Sequence, residues 1–253
     1  MGFLSFLYGT VAYAIFLAAF TYAIGFVGNL LVPKSIDTAT SAALPAAVAI
    51  DLALLGLFAV QHSVMARPAF KHWWTRIVPE PIERSTYVLF SSLLLALLCW
   101  QWQAIPGTVW RVESEPGHAV LLGLFWLGWL TVLSASFMIN HFDLFGLRQV
   151  YLRLKNEPYT PVPFAKFALY RFIRHPIMLG FLIAFWATPS MSLGHLLFSC
   201  ATTAYIFIGI WLEERDLRRL HGASYESYRA ETGMVLPPLR GKAADPAVLQ
   251  SRR

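Results

Sequence analysis

The chain has 253 residues, of which 57% are hydrophobic and 13% charged, and its mean hydropathy is +0.55. These values exclude an ordinary soluble globular domain and predict an all-α integral membrane protein, because about 20 consecutive apolar residues cross the hydrocarbon core as a helix. The net charge of +6 is explained by basic residues beside the membrane, so membrane lipids are predicted partners and nucleic acid is not.

Five apolar segments follow one another as candidate spans. The first four cover about residues 3–32, 44–60, 86–105 and 119–139. The first has no basic residue ahead of it and is longer than the apolar core of a signal peptide, so we expect it to be retained. The fifth, residues 177–212, contains no Asp, Glu, Lys or Arg. Because Pro189 and Gly194 interrupt it, a helical hairpin fits it best.

Lys and Arg are concentrated in every second loop. Residues 67–84, residues 140–176 and the tail after the fifth segment are basic, whereas residues 33–41 and 103–118 are nearly balanced in charge. Basic residues stay on the cytoplasmic side of a membrane. Both termini are therefore predicted to face the cytoplasm.

The chain has no internal repeat and no low-complexity tract. Residues 1–239 are predicted to form one membrane domain that ends in an amphipathic helix, followed by a disordered tail at residues 240–253. Cys99 and Cys200 both fall inside predicted spans, so the cysteines signal neither a disulfide nor a zinc site.

A basic sequence, Arg174-His175-Pro176, opens the fifth segment. A proline at a helix start supplies a preset backbone angle and loses no hydrogen bond. The unpaired N–H groups of such a start favour a carboxylate or phosphate, and Gly180, one turn later, would let a flat group approach the backbone. The alternative interpretation is an ordinary basic membrane boundary.

Two carboxylates, Glu213 and Glu214, leave the membrane at the other end of the hairpin. Adjacent helical residues point about 100° apart, so only one of them can face a given cleft. Arg218 lies four residues after Glu214, the favourable order for a helical salt bridge, and this pairing is the main role predicted for Glu214. Glu213 is then free to accept hydrogen bonds from a ligand ammonium group.

A third polar cluster follows the fourth span. His141, Asp143 and Arg148 lie within eight residues at the predicted interface, enough for an acid or base with a charge partner. Taken singly, each is also explained as an interfacial residue with a solvated head. Their density between two spans favours the lid of an active site.

Gln61, His62 and Ser63, at the end of the second span, are a weaker candidate. A neutral imidazole is a common axial ligand of haem. The chain has no His-x-x-x-His pair and no Cys-x-x-Cys-His motif, so a haem site is the less favoured interpretation.

These residues carry a family resemblance. The R-H-P-x-x-x-G motif, the E-E pair and a G-x-x-Y-x-x-Y motif at Gly222, Tyr225 and Tyr228 resemble the isoprenylcysteine carboxyl methyltransferase and phospholipid methyltransferase superfamily. Within it, Q-H-S-V-M-A-R-P-x-F-K-x-W-W, E-R-S-T-Y and N-H-F-D-L-F-G-L-R-Q look like the bacterial methanethiol S-methyltransferases. The resemblance implies an enzyme of the bacterial inner membrane that uses S-adenosylmethionine (SAM) to methylate a small volatile thiol.

The resemblance also implies a seat for SAM. We expect His175 and the helix start to hold its carboxylate and Glu213 to receive its ammonium group. Met178 stands where the superfamily often has Tyr, and a Met can still pack against an adenine or a methylsulfonium. The predicted cofactor-binding residues are Tyr170, Gln149, Arg174, His175, Met178, Gly180, Glu213 and Glu214.

The thiol is predicted to enter from the membrane side. Its cavity would be walled by aromatic residues such as Phe142, Phe145 and Trp211. A thiol is a poor nucleophile until ionised, as a Cys side chain with a pKa of about 8.5 illustrates. We expect Asp143, beside Arg148 or Arg153, to take the proton or stabilise the thiolate, with His141 as the second candidate.

Three alternatives remain open at this point. A lipid or prenyl-cysteine methyltransferase would use the same cofactor seat with a wide lateral opening between spans. A related branch, associated with nitrite and nitric oxide reduction and with a haem-containing isomerase, would need His62 as a ligand. The third alternative is a purely structural membrane subunit, which would not explain the clustered charges at the membrane interface.

Overall fold

The computed structural model describes residues 2–38, 42–162 and 167–238. Five of its helices are long and apolar enough to cross a membrane, which confirms the predicted all-α membrane fold. These helices are α1 (Gly2–Gly28), α2 (Leu44–Met65), α4 (Glu80–Gln101), α5 (Glu115–Ile139) and α9 (Leu193–His221). The predicted tail at residues 240–253 lies outside the described residues.

Shorter elements connect the spans. They are α3 (Pro68–Trp74), β1 (Thr108–Arg111), α6 (His141–Leu144), α7 (Leu147–Lys155), a 3-10 turn (Ala168–Arg171), α8 (Pro176–Trp186), β2 (Ser190–Ser192) and α10 (Ala223–Glu231). The strands pair antiparallel, with Trp110 opposite Met191. This ribbon joins the loop before α5 to the turn of the hairpin, and hydropathy alone gave no sign of it.

The fifth apolar segment forms a hairpin with unequal arms. Its first arm, α8, has 11 residues, or about 17 Å at 1.5 Å per residue, which is too short to cross the hydrocarbon core. Its second arm, α9, has 29 residues. The arms are joined because Ser199 donates a hydrogen bond to the Phe185 carbonyl at 2.8 Å and Trp186 donates to Thr203 at 2.9 Å.

Helix α8 packs on α5 with their backbones in contact. A Cβ added to Gly180 would lie 2.7 Å from the Gly128 carbonyl oxygen and 2.9 Å from the Val132 nitrogen. Small residues permit this close approach of helices in membranes. The predicted role of Gly180, to admit a flat ligand group to the backbone, is therefore wrong: that face of Gly180 is covered by α5.

The first turns of α4 hold several other elements. Arg84 donates to the Leu144 carbonyl at 2.8 Å, Ser85 donates to the Gly146 carbonyl at 3.3 Å, and Thr86 shares a hydrogen bond with Tyr8 of α1 at 3.0 Å. Gly146 has φ +88°, and a Cβ there would meet the Ser85 nitrogen at 2.7 Å. The E-R-S-T-Y segment thus fixes the loop that carries His141 and Asp143 against α4.

Candidate active site

A buried ion-pair cluster ties the two ends of the hairpin together. Glu214, whose side chain is 3% exposed, accepts a hydrogen bond from Arg174 Nε at 2.7 Å and pairs with Arg229 of α10 at 3.1 Å. Arg174 also donates to the carbonyls of Arg229 and Thr232. Three segments that are distant in sequence therefore converge on one carboxylate.

This arrangement corrects the predicted role of Glu214. Arg218 Nε donates to the backbone carbonyl of Glu214 at 3.3 Å, while its side chain pairs with Glu226 at 3.8 Å. The predicted helical salt bridge to Arg218 is wrong because Glu214 points into the protein, where two arginines from other elements meet it. Arg174 is engaged in the same cluster, so its contacts are those of a structural residue.

The last turn of α10 and the residues after it close over this cluster. Its backbone pairs with the chain just before α8: the Arg174 N–H donates to the Gly233 carbonyl at 2.9 Å, and the His175 N–H donates to the Met234 carbonyl at 3.0 Å. Tyr228 of α10 donates to the Tyr170 carbonyl at 2.7 Å. We call residues 228–234 the C-terminal strap; it holds the entry to α8 in place.

His175 lies between the two glutamates of α9. Its Nε2 is 3.2 Å from Glu214 and its Nδ1 is 3.6 Å from Glu213. Glu213 is 48% exposed, and His175 makes no side-chain hydrogen bond to the start of α8. His175 therefore brings the half-exposed Glu213 carboxylate close to the uncapped N–H groups of α8. The carboxylate favours a cationic group, and the N–H groups favour an anionic one.

Tyr170 connects this place to the end of α5, and Gln149 of α7 contacts α6, which follows α5. The Tyr170 hydroxyl donates to the Ala135 carbonyl at 3.5 Å. Burial, and then the negative charge of Glu213, raise the pKa of Tyr170 above its ordinary value. Gln149 donates to the Asp143 carbonyl at 3.1 Å, and its Oε1 is buried with no protein partner among the described residues. This oxygen can accept a hydrogen bond from a ligand.

Asp143 is held on both of its carboxylate oxygens. Arg148 donates to Oδ1 at 2.9 Å and Tyr159 donates to Oδ2 at 3.3 Å. Arg148 also donates to the carbonyl and the hydroxyl of Thr160. The predicted pairing of Asp143 with Arg148 is present, whereas Arg153 is exposed on α7.

His141 is separate from Asp143 and buried. Its ring contacts the hydroxyls of Tyr13 at 2.7 Å and Ser136 at 2.9 Å. Phe137 stacks on it with ring centroids 4.3 Å apart. Burial lowers the pKa of His141 below its ordinary value, so the imidazole is neutral at neutral pH.

The predicted aromatic walls are not one surface. Phe145 stacks on Phe16 of α1 at 4.1 Å and lies 4.8 Å from the His141 ring. Trp211, in contrast, is 58% exposed on α9 and lies under the Arg215 guanidinium. Phe145 therefore belongs to the surroundings of His141, and Trp211 belongs to the outer face.

His62 belongs to α2, and its side chain contacts α4. Its Nδ1 is 3.1 Å from the Ser91 hydroxyl, and its Nε2 is 2.9 Å from the Tyr87 hydroxyl. Both ring nitrogens thus face protein hydroxyls. Within the described ranges, no group of three or more His, Cys, Asp or Glu side chains could hold a metal ion.

Comparison with known proteins identifies the family. The family model described as NnrU protein matches residues 52–226. The chain is 56% identical to methanethiol S-methyltransferase of Mycobacterium tuberculosis over 93% of this chain and 96% of that relative. The chain belongs to the methanethiol S-methyltransferase family. The resemblance predicted from the motifs is confirmed.

Other methanethiol S-methyltransferases and a more distant protein are also similar. The enzyme of Crocosphaera subtropica is 51% identical over 91% of each chain. Nurim of Rattus norvegicus is 32% identical over 69% of this chain and 70% of its own length. No solved structure matches the chain.

Sequence reasoning missed three residues of this methanethiol S-methyltransferase family member. Arg229 and Thr232 complete the Glu214 cluster, and Tyr13 binds His141. Arg229 and Thr232 are too far along the chain from Glu214 to be paired by helical spacing. One feature of the sequence could have pointed to Tyr13: its hydroxyl lies inside an uncharged span and needs a hydrogen-bond partner there.

Proposed function

We propose that the protein transfers a methyl group from SAM to methanethiol and releases dimethyl sulfide. The observation that carries this proposal is the half-exposed Glu213 beside the uncapped start of α8, within a family whose relatives are named for that reaction. A carboxylate next to free N–H groups matches a ligand that bears both an ammonium and a carboxylate.

The residues at this place fit SAM. Glu213 accepts hydrogen bonds from the ammonium group, and the N–H groups of Ile177 and Met178 receive the carboxylate. The buried Gln149 Oε1, which lacks a protein partner among the described residues, accepts from the exocyclic amine of adenine. SAM, when bound, supplies an electrophilic methyl group on a sulfonium. The protein contributes mainly by positioning.

His175 has a changed role in this account. Its two nitrogens face Glu213 and Glu214, so it orients the Glu213 carboxylate and leaves the ligand carboxylate to the helix start. Glu214 and Arg174 act one step further away, because they hold the C-terminal strap and the entry to α8 in place.

His141 is the better candidate to accept the thiol proton. A neutral imidazole is a stronger base than a carboxylate, and its pKa is nearer to that of a thiol. Both oxygens of Asp143 already accept hydrogen bonds, which suits the positioning of the loop. We therefore place His141 first and Asp143 second, the reverse of the order predicted from the sequence.

The site is proposed to face the cytoplasm of the bacterial inner membrane. The N-terminal residue of α1, Gly2, packs on the backbone of Arg153 in the basic loop after α5, and the C-terminal strap packs on Arg174. Both ends of the described chain thus lie on the side of the basic loops, which remain cytoplasmic.

Replacing Glu213 with Gln is expected to weaken SAM binding about 10- to 100-fold, because a charge-assisted hydrogen bond contributes about 1.5–3 kcal/mol. Stability should change little, since Glu213 is half-exposed. Isothermal titration in detergent measures the dissociation constant. Glu226→Gln is the matched control, because Glu226 is also about half-exposed, at 52%, and pairs with Arg229 outside the proposed site. Equal SAM affinity in the Glu213 variant and wild type would remove Glu213 from the seat.

Replacing Asp143 with Asn is expected to lower kcat about tenfold and leave SAM affinity unchanged, because the amide keeps the shape but loses the charge that holds Arg148. Steady-state kinetics with saturating SAM give the value. A loss as large as that of a His141 variant would restore Asp143 as the proton acceptor.

The proposed activity is tested by comparing acceptors. Purified protein is incubated with SAM and, in separate reactions, methanethiol, phosphatidylethanolamine or a prenyl-cysteine, and S-adenosylhomocysteine is measured. Formation that requires methanethiol is the expected result. Formation only with the lipid or the prenyl-cysteine would refute thiol methylation and would favour a lateral opening for a long chain.

A further inference from the structure

His141 lies at the junction of three helices. It is the first residue of α6, and its side chain is buried between Tyr13 of α1 and Ser136 of α5. Nδ1 is 2.9 Å from the Ser136 hydroxyl and Nε2 is 2.7 Å from the Tyr13 hydroxyl. Both nitrogens of one imidazole therefore belong to a continuous chain of hydrogen bonds from Ser136 to Tyr13.

The direction of this chain follows from counting protons. A serine hydroxyl has one proton, and Ser136 donates it to the Leu133 carbonyl at 2.7 Å. The oxygen of Ser136 can then only accept, so Nδ1 of His141 carries the hydrogen. Nε2 of the neutral ring must be the acceptor, and the Tyr13 hydroxyl donates to it.

The surroundings hold the ring in this state. Phe137 stacks on one face of His141 at 4.3 Å and Phe145 lies against it at 4.8 Å. Burial lowers the pKa of His141. Charged groups on the neighbouring elements are Asp143, two residues on, and Arg84 of α4, which binds the Leu144 carbonyl. The imidazole is thus a neutral base whose lone pair points at Tyr13.

We propose that Tyr13 is a catalytic residue that relays the thiol proton to His141, and that Ser136 is a positioning residue that sets the tautomer of His141. This inference rests on the proposed function. As the thiol S–H bond breaks, its proton passes to the Tyr13 oxygen and the Tyr13 proton passes to His141 Nε2. The electron pair left on sulfur forms the new bond to the methyl group, and the bond from that methyl to the sulfonium breaks.

The relay adjoins the cofactor seat. Tyr170, whose pKa responds to Glu213, donates its hydroxyl to the Ala135 carbonyl, one residue before Ser136. The same stretch of α5 therefore contacts both the SAM side and the His141 side. Among the described residues, the structure gives the Tyr13 hydroxyl one hydrogen bond, so its oxygen has a lone pair left to receive a proton.

The experiment compares two variants with two matched controls. Tyr13→Phe removes the relay hydroxyl. Tyr8→Phe removes a hydroxyl from the same helix, whose one hydrogen bond among the described residues is to Thr86. Ser136→Ala removes the acceptor for Nδ1, and Ser92→Ala removes a buried serine that likewise donates to its own helix, at 2.7 Å. SAM affinity, kcat for methanethiol, and the pH dependence of kcat are measured for all four.

We expect Tyr13→Phe to lower kcat at pH 7 about 100-fold and Ser136→Ala about tenfold, while SAM affinity and both controls stay within about twofold of wild type. The Tyr13 deficit should shrink as the pH rises towards about 9.5, because thiolate then forms without the relay. A purely structural defect would not depend on pH in this way.

Two results would overturn the relay. One is full kcat in Tyr13→Phe at pH 7, and the other is a deficit that stays constant with pH. If the wild-type protein is active and the variant gives either result, the relay is refuted and thiol methylation still stands. Wild-type protein that forms no dimethyl sulfide refutes the proposed function and the relay with it.

Discussion

Replacing Glu214 with Ala is expected to destabilise the protein by about 3–5 kcal/mol, because Arg174 would remain buried without its carboxylate. The loss should be concentrated in the C-terminal strap, which Arg174 and Arg229 attach to the start of α8. Thermal unfolding in detergent, followed by limited proteolysis, measures both effects. We expect a melting temperature about 10 °C lower and early cleavage after α9.

The control for this prediction is Glu226→Ala. Glu226 also pairs with Arg229, at 3.0 Å, but it is half-exposed. Exposed pairs contribute about 0–1 kcal/mol, so this variant should melt close to wild type. Equal melting temperatures for both variants would show that the Glu214 cluster does not hold the strap.

Replacing His141 with Gln is expected to lower kcat about 100- to 1,000-fold and to leave SAM binding unchanged, because a proton acceptor contributes about that much to a transfer step. Gln keeps a polar group between Tyr13 and Ser136. The control is His118→Gln at the opposite end of α5, where the side chain is exposed. Undiminished turnover in His141→Gln would exclude His141 as the base.

The pH dependence of wild-type activity and stability is a second test of His141 as the base. Burial lowers its pKa in the folded state, so the neutral base persists below about pH 6.5, where an exposed imidazole would be protonated. Activity should therefore decline only below that value. Stability should fall over the same interval, because the unfolded chain takes up the proton first.

The spans could be predicted because hydropathy is a local property. The observed helix ends differ from the predicted ones for local reasons as well. Helix α1 ends at Gly28, since Asn29 and Leu31 have positive φ, and α4 begins at Glu80, just after Pro79. The lengths of the hairpin arms could not be predicted, because a long uncharged run contains no charge to mark where α8 stops.

The site was predictable in its composition but not in its pairing. Asp143 and Arg148 are five residues apart in sequence, and their predicted contact is present. Glu214, in contrast, was assigned to Arg218 by helical spacing, whereas its partners Arg174 and Arg229 come from other elements. The partners of Glu214 are set by tertiary packing, because the buried carboxylate pairs with the arginines that packing brings to it.

The central claim is direct methyl transfer from SAM to a small thiol by this protein. The most direct test is to incubate the purified protein with unlabelled methanethiol and with SAM that carries a trideuterated methyl group. The mass of the dimethyl sulfide in the headspace is then determined by mass spectrometry. The account predicts dimethyl sulfide with one trideuterated methyl group, in an amount equal to the S-adenosylhomocysteine formed. Absence of labelled dimethyl sulfide from folded protein that binds SAM would contradict it.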